Sequence, residues 1–138
     1  ADFNTAGDAA NITMTEDAGY YKVEVDLSAK TYKLTPITTI GIIGSASPGG
    51  WDSDVDMKYI PYNAETKELG YWEIKDITLT NGEIKFRAND AWDISWGGTP
   101  DALTTQGGAA NLSVEAGTYD IKLYAWANGY AKCELIKK

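Results

Sequence analysis

Between positions 82 and 98 the chain reads GEIKFRANDAWDISWGG, and the residues best suited to chemistry lie here. Lys85, Arg87 and Asn89 stand at alternate positions, and Trp92 and Trp96 follow in a stretch that ends in two glycines. Two cations and an amide beside flat aromatic faces suit a sugar. The C–H faces of a pyranose ring lie on indoles, and its hydroxyls take up the donors. A third indole, Trp51, leaves the turn-rich segment SASPGG at 45–50. Large aromatics in polar, loop-like surroundings are unfavourable unless something covers them. Trp51, Lys85, Arg87, Asn89, Trp92 and Trp96 are therefore the candidate binding set. Trp126, just before Asn128-Gly129, is a further candidate platform. The competing reading is core filling plus ordinary surface charge, and Trp72, in phase with Ile74, fits that reading.

Strands must position these groups. Ile84, Phe86 and Ala88 alternate with Glu83, Lys85 and Arg87, so one face is apolar and the other solvated. Tyr21, Val23 and Val25 alternate in the same way and turn back through Tyr32-Lys33-Leu34, a hairpin ended by Pro36. The β-branched run ITTIGIIG at 37–44 reads as a central strand, and 56–62 as a short one. In 71–79 the apolar phase changes at Lys75-Asp76, which predicts a β-bulge. Asn81-Gly82 predicts a hairpin turn into the strand that carries Arg87. Tyr119, Ile121 and Leu123, a second Asn-Gly turn at 128–129, then Ala131, Cys133 and Leu135, complete a closing hairpin. No segment has helical periodicity. About seven to nine short strands in close succession predict an all-β fold, an antiparallel β-sandwich of immunoglobulin-like type.

An internal repeat sets the domain organisation. The segment from 7 to 34 resembles that from 107 to 135. Ala9-Ala10-Asn11 matches Ala109-Ala110-Asn111, Gly19 matches Gly117, and Tyr21, Val23 and Val25 match Tyr119, Ile121 and Leu123. Residues 1–36 thus read as the closing hairpin of a preceding module, docked on the next or swapped between chains, and 37–138 as a complete module. The chain starts without methionine or signal peptide, which reads as a piece of something longer.

Composition excludes several functions. The net charge of −8 opposes nucleic acid and anionic membrane surfaces. The absence of histidine removes the usual general base and zinc ligand. The single cysteine, Cys133, reads as a small buried hydrophobe and allows no disulfide within the chain. No apolar run approaches the roughly 18 residues of a membrane span. Asp52-x-Asp54-x-Asp56 resembles the opening of an EF-hand loop, but Met57 and Asn63 stand where that loop needs glycine and glutamate, so a metal is not expected. No carboxyl pair, activated nucleophile or phosphate loop is legible. The expectation is a non-catalytic protein without cofactor.

The segments IGIIGSASPGGWDSDVDM at 40–57 and GEIKFRANDAWDISWGG at 82–98 resemble the SusE/SusF family, cell-surface starch-binding lipoproteins of Gram-negative gut Bacteroidota. The resemblance spans the complete module. It implies a string of β-sandwich carbohydrate-binding modules, held at the outer membrane by a lipid anchor outside this chain. It also implies binding of α-glucan without cleavage and association with an outer-membrane transporter complex. By position, it implies a platform of Trp92 or Trp96 with Trp51, and hydrogen bonding by Lys85, Arg87 and Asn89. The alternatives are a structural spacer and a protein-interaction module within a glycan-uptake complex.

Overall fold

The computed structural model describes residues 2–7, 9–105, 108–126 and 130–138. The predicted turn at Asn128-Gly129 lies outside them. The described residues form strands and no helix. The chain divides into two compact units, Ala1–Thr38 and Thr39–Lys138.

The first unit is built on an antiparallel hairpin, β1 (Tyr21–Asp26) and β2 (Thr31–Pro36), with Tyr21 opposite Pro36 and Asp26 opposite Thr31. The Asp26 carboxylate accepts the Ser28 and Ala29 N–H groups and so forms the turn. Val23 and Val25 alternate as predicted, but they stand exposed.

The second unit is an antiparallel β-sandwich, not closed into a barrel. Its strands in chain order are β3 (Ile40–Ile43), β4 (Val55–Asp56), β5 (Lys58–Ile60), β6 (Tyr71–Leu79), β7 (Gly82–Ala88), β8 (Ser95–Thr99), β9 (Ala102–Thr104), β10 (Leu112–Val114), β11 (Gly117–Tyr124) and β12 (Lys132–Lys137). One sheet runs β4-β3-β7-β8-β9, and β10 pairs with the first half of β7 where β8 has not yet joined it. The other sheet runs β12-β11-β6-β5. Ile40, Ile42, Ile84, Phe86 and Leu112 from the first meet Trp72, Leu79, Ile121 and Leu123 from the second in the buried core. Each such side chain contributes about 1.5–3 kcal/mol by leaving water. Along one edge the sheets are stitched together: the Leu103 N–H donates to Ala131 O at 2.8 Å and the Cys133 N–H to Pro100 O at 2.8 Å. Cys133 is buried, and burial pushes its thiol up to about 12.

The predicted bulge is present. Ile77 faces Tyr119 and Ile74 faces Ile121, so β6 carries one extra residue across Lys75-Asp76. Asp76 takes a left-handed φ of 56°, and its N–H donates to the Asp120 carboxylate. The Asn81-Gly82 expectation is corrected. β6 and β7 lie in different sheets, so this turn carries the chain across the sandwich and makes no hairpin. The crossing is fixed by long-range bonds: Asn81 Oδ1 accepts the Ala116 N–H, and Ala46 O accepts the Thr80 N–H.

The repeat has a structural counterpart. Tyr21 Oη donates to Asp17 O and Tyr119 Oη to Glu115 O, each four residues back, at 2.7 and 3.0 Å. The Ile37 N–H donates to Tyr20 O and the Lys138 N–H to Thr118 O. These are the same two bonds at matching positions, and the tyrosine bond is the kind of corner common in β-sandwiches. Because both sheets and the ladders joining them lie within 39–138, a chain starting at Thr39 is expected to fold. Its amide NMR spectrum should be fully dispersed, and a collapsed spectrum would show that the first hairpin is required.

Candidate functional site

The site grows from the outer face of β3 and β7. Gly41 lies opposite Arg87, and Ser95 flanks Arg87 on the other side. A Cβ on Gly41 would sit 2.6 Å from the Asp54 Cβ, so only glycine lets Asp54 lie flat over the sheet. Asp54 then receives the Arg87 Nε–H on both carboxylate oxygens, at 2.8 and 2.9 Å. The pair is nearly dry, with Arg87 10% and Asp54 2% exposed at their side chains.

Two loops bring indoles to this pair. The 44–53 loop is a compact knot of turns: the Gly44 N–H donates to Gly50 O, the Gly50 N–H to Ser47 O, and Gly50 takes a φ of 60° that favours glycine. It presents Trp51 at 41% exposure. The second loop joins β7 to β8. Asn89 and Asp90 both adopt left-handed φ, 55° and 53°, and the Ala88 N–H donates to Ile94 O across the base. This tight reversal raises Trp92 at 50% exposure. The Trp51 and Trp92 rings stand 6.2 Å apart, tilted by 39°. The Arg87 guanidinium lies 4.8 Å from the Trp92 centroid and holds that ring from beneath by cation–π attraction.

The predicted set is thus divided. Trp51, Trp92 and Arg87 come together. Lys85 is half-buried on the same face, two residues along β7, about 7 Å from Arg87 by strand rise. Asn89 is half-buried at the start of the reversal, and its backbone N–H donates to Thr39 O. Trp96 is corrected. It lies on β8 opposite Phe86, 3% exposed, and belongs to the core. The reversal at Asn89-Asp90 takes less chain than a loop reading assumed, and Ile94 and Trp96 resume strand alternation with their side chains inward. Arg87 is also corrected, from a solvated donor to a buried, ion-paired support. Asp54 and Gly41, absent from the predicted set, complete the support. The aspartate triplet was legible as a run of carboxylates, but nothing in it marks Asp54 as the partner of Arg87, 33 residues away.

Among the described residues no cluster of three or more acidic or thiol ligands could hold a metal. Asp90 has its carboxyl above the ordinary 3.8, first through a hydrogen bond to Asp54 that only a protonated acid donates, then through desolvation and the charges of Asp54 and Asp56, against Arg87. An acid whose folded pKa is raised contributes stability below its unfolded pKa and loses it as pH rises through the folded value. Asp90→Asn, which keeps a side chain tolerant of left-handed φ, is therefore expected to raise Tm at pH 7, with the gain vanishing below about pH 4. Thermal unfolding of both proteins across pH 3–8 measures it, and an unchanged difference at all pH values would show no shared proton.

Comparison with protein-family models, curated proteins and solved structures returns no match for this chain.

Proposed function

We propose that the second unit is a non-catalytic carbohydrate-binding module of SusE/SusF type, which holds starch or another α-glucan at a bacterial cell surface. The observation that carries this reading is the pair of half-exposed indoles, Trp51 and Trp92, tilted by 39° to one another, with the buried, Asp54-paired Arg87 beneath Trp92. Successive glucoses in an α-glucan turn relative to one another, and two tilted faces suit such a curve better than a flat platform. Rigid support reduces the entropy lost on binding. Lys85 supplies a cationic donor on the same face, and Asn89 a polar group at the loop base. The non-catalytic reading is supported by Asp54: its oxygens are taken up by Arg87 and by the Asp90 carboxyl and its side chain is sealed, so it offers no attacking carboxylate beside the indoles.

The glycan-uptake setting rests on the sequence resemblance. It comprises a lipid anchor outside this chain, an outer-membrane surface and association with a transporter complex. Affinity at one such platform is modest, and repeated modules would raise it through effective concentration. The structural-spacer reading accounts for the buried Trp96 but leaves Trp51 and Trp92 exposed to no purpose. Retention of the protein on insoluble starch, with titration calorimetry against maltoheptaose, tests the reading. Absence of binding to any glucan would favour a spacer or a protein-interaction role.

A further inference from the structure

The other sheet carries a second set of rings. On β6, β11 and β12 the inward positions belong to Trp72, Ile121, Leu123 and Cys133, so alternation turns Tyr71, Lys122, Tyr124 and Lys132 outward. Tyr71 and Tyr124 have ring centroids 5.6 Å apart, tilted by 44°. Trp126, just beyond the end of β11, adds a third ring 5.3 Å from Tyr124 at 53°. The Trp126 N–H donates to Tyr124 O at 3.0 Å, which fixes the backbone of this ring at the strand end. Lys122 Nζ lies 5.1 Å from the Tyr71 ring centre and Lys132 Nζ 5.0 Å from that of Tyr124. Glu68 and Leu69 flank the rings, and together these residues line an open groove of about 270 Å³.

We propose that Tyr71, Tyr124 and Trp126 form a second glycan platform, on the sheet opposite the Trp51–Trp92 pair, which takes a neutral oligosaccharide segment. Both surfaces place tilted neighbouring rings beside a cation that lies against one of them. Three contiguous aromatics on the outer face of a sheet are a costly way to meet water and a suitable way to meet sugar C–H faces. The polar groups suit hydroxyls better than an anion. Lys122 and Lys132 donate, Glu68 accepts, and Glu68 and Glu134 oppose a phosphate or carboxylate ligand. Tyr124 keeps its phenolic proton, because burial and then Glu134 push its pKa above 10.0, so it remains a donor at neutral pH. With a site on each outer face, one module would engage two glycan segments at once. This inference shares its ligand class with the Trp51–Trp92 reading but none of its residues, so each can fail without the other.

The test follows indole N–H resonances in 15N-labelled protein, assigned by single Trp51→Phe, Trp92→Phe and Trp126→Phe substitutions. Maltoheptaose is titrated in, with cello-, xylo- and manno-oligosaccharides in parallel. The Trp126 resonance is expected to move in the wild type and in the Trp51→Ala/Trp92→Ala variant. It should stop moving in a Tyr71→Ala/Tyr124→Ala variant whose spectrum stays dispersed and whose Trp51 resonance still responds. A Trp126 resonance that none of these glycans moves overturns the proposal. So does one that moves only while Trp51 and Trp92 are intact, since that reports an effect transmitted from the first surface.

Discussion

Replacing Arg87 with alanine is expected to lower the stability of the second unit by about 3–5 kcal/mol, the cost of leaving one partner of a buried ion pair alone. The abandoned partner is Asp54, 2% exposed, with the Asp90 carboxyl beside it and no other cation in contact with it among the described residues. The loss is a large fraction of the roughly 5–15 kcal/mol that holds a domain together. At about 4 °C or more per kcal/mol, Tm should fall by about 12 °C or more. Lysine should not restore it, because the bond to Asp54 is made by Nε of a planar guanidinium, for which a flexible ammonium has no counterpart. Removing both partners together, Asp54→Ala with Arg87→Met, should recover part of the loss, since the penalty lies in the solitary charge and not in the missing attraction. Urea unfolding of the three variants measures these differences. A loss below about 1 kcal/mol for Arg87→Ala, the range of exposed pairs, would show that the pair is solvated. The consequence for function is direct: loss of glycan binding in Arg87→Ala reports a collapsed support before it reports a lost sugar contact.

The second large effect concerns the rings themselves. Trp51→Ala with Trp92→Ala is expected to weaken binding to α-glucan by about 30-fold or more, which corresponds to about 2 kcal/mol and is ordinary for an aromatic hot spot. Both rings are about half exposed and neither belongs to the core, so Tm should change by only a few degrees. The combination of retained fold and lost binding separates this variant from Arg87→Ala. Trp96→Ala should show the reverse pattern, a loss of stability of about 3–5 kcal/mol from the cavity beside Phe86. Starch retention by the folded double variant equal to that of the wild type would remove Trp51 and Trp92 from the proposed function.

Much of this architecture follows from local pattern. Alternation in 82–88 placed Ile84 and Phe86 inward, the phase change at Lys75-Asp76 marked the bulge, and the run at 37–44 held the fully buried β3. Period-two alternation is a property of the strand alone, so it is readable without knowing what the strand touches. Tryptophans in polar segments likewise pointed to exposed rings, and Trp51 and Trp92 are about half exposed, whereas Trp96 is buried.

What alternation does not contain is the identity of a strand's neighbour. Asn81-Gly82 has the composition of a hairpin turn, yet it crosses between sheets because Gly82 and Ile84 pair with β10 and not with β6. Arg87 occupies an outward position, yet it is buried because Asp54, far along the chain, lies over Gly41 and closes on it. Trp96 is inward because two left-handed residues shorten the reversal and return the chain to strand beside Phe86. Sequence alone determined an all-β chain with its faces assigned and its candidate rings named. Tertiary structure decided which rings stay open, since exposure depends on partners brought together across the chain, and local periodicity carries no record of them.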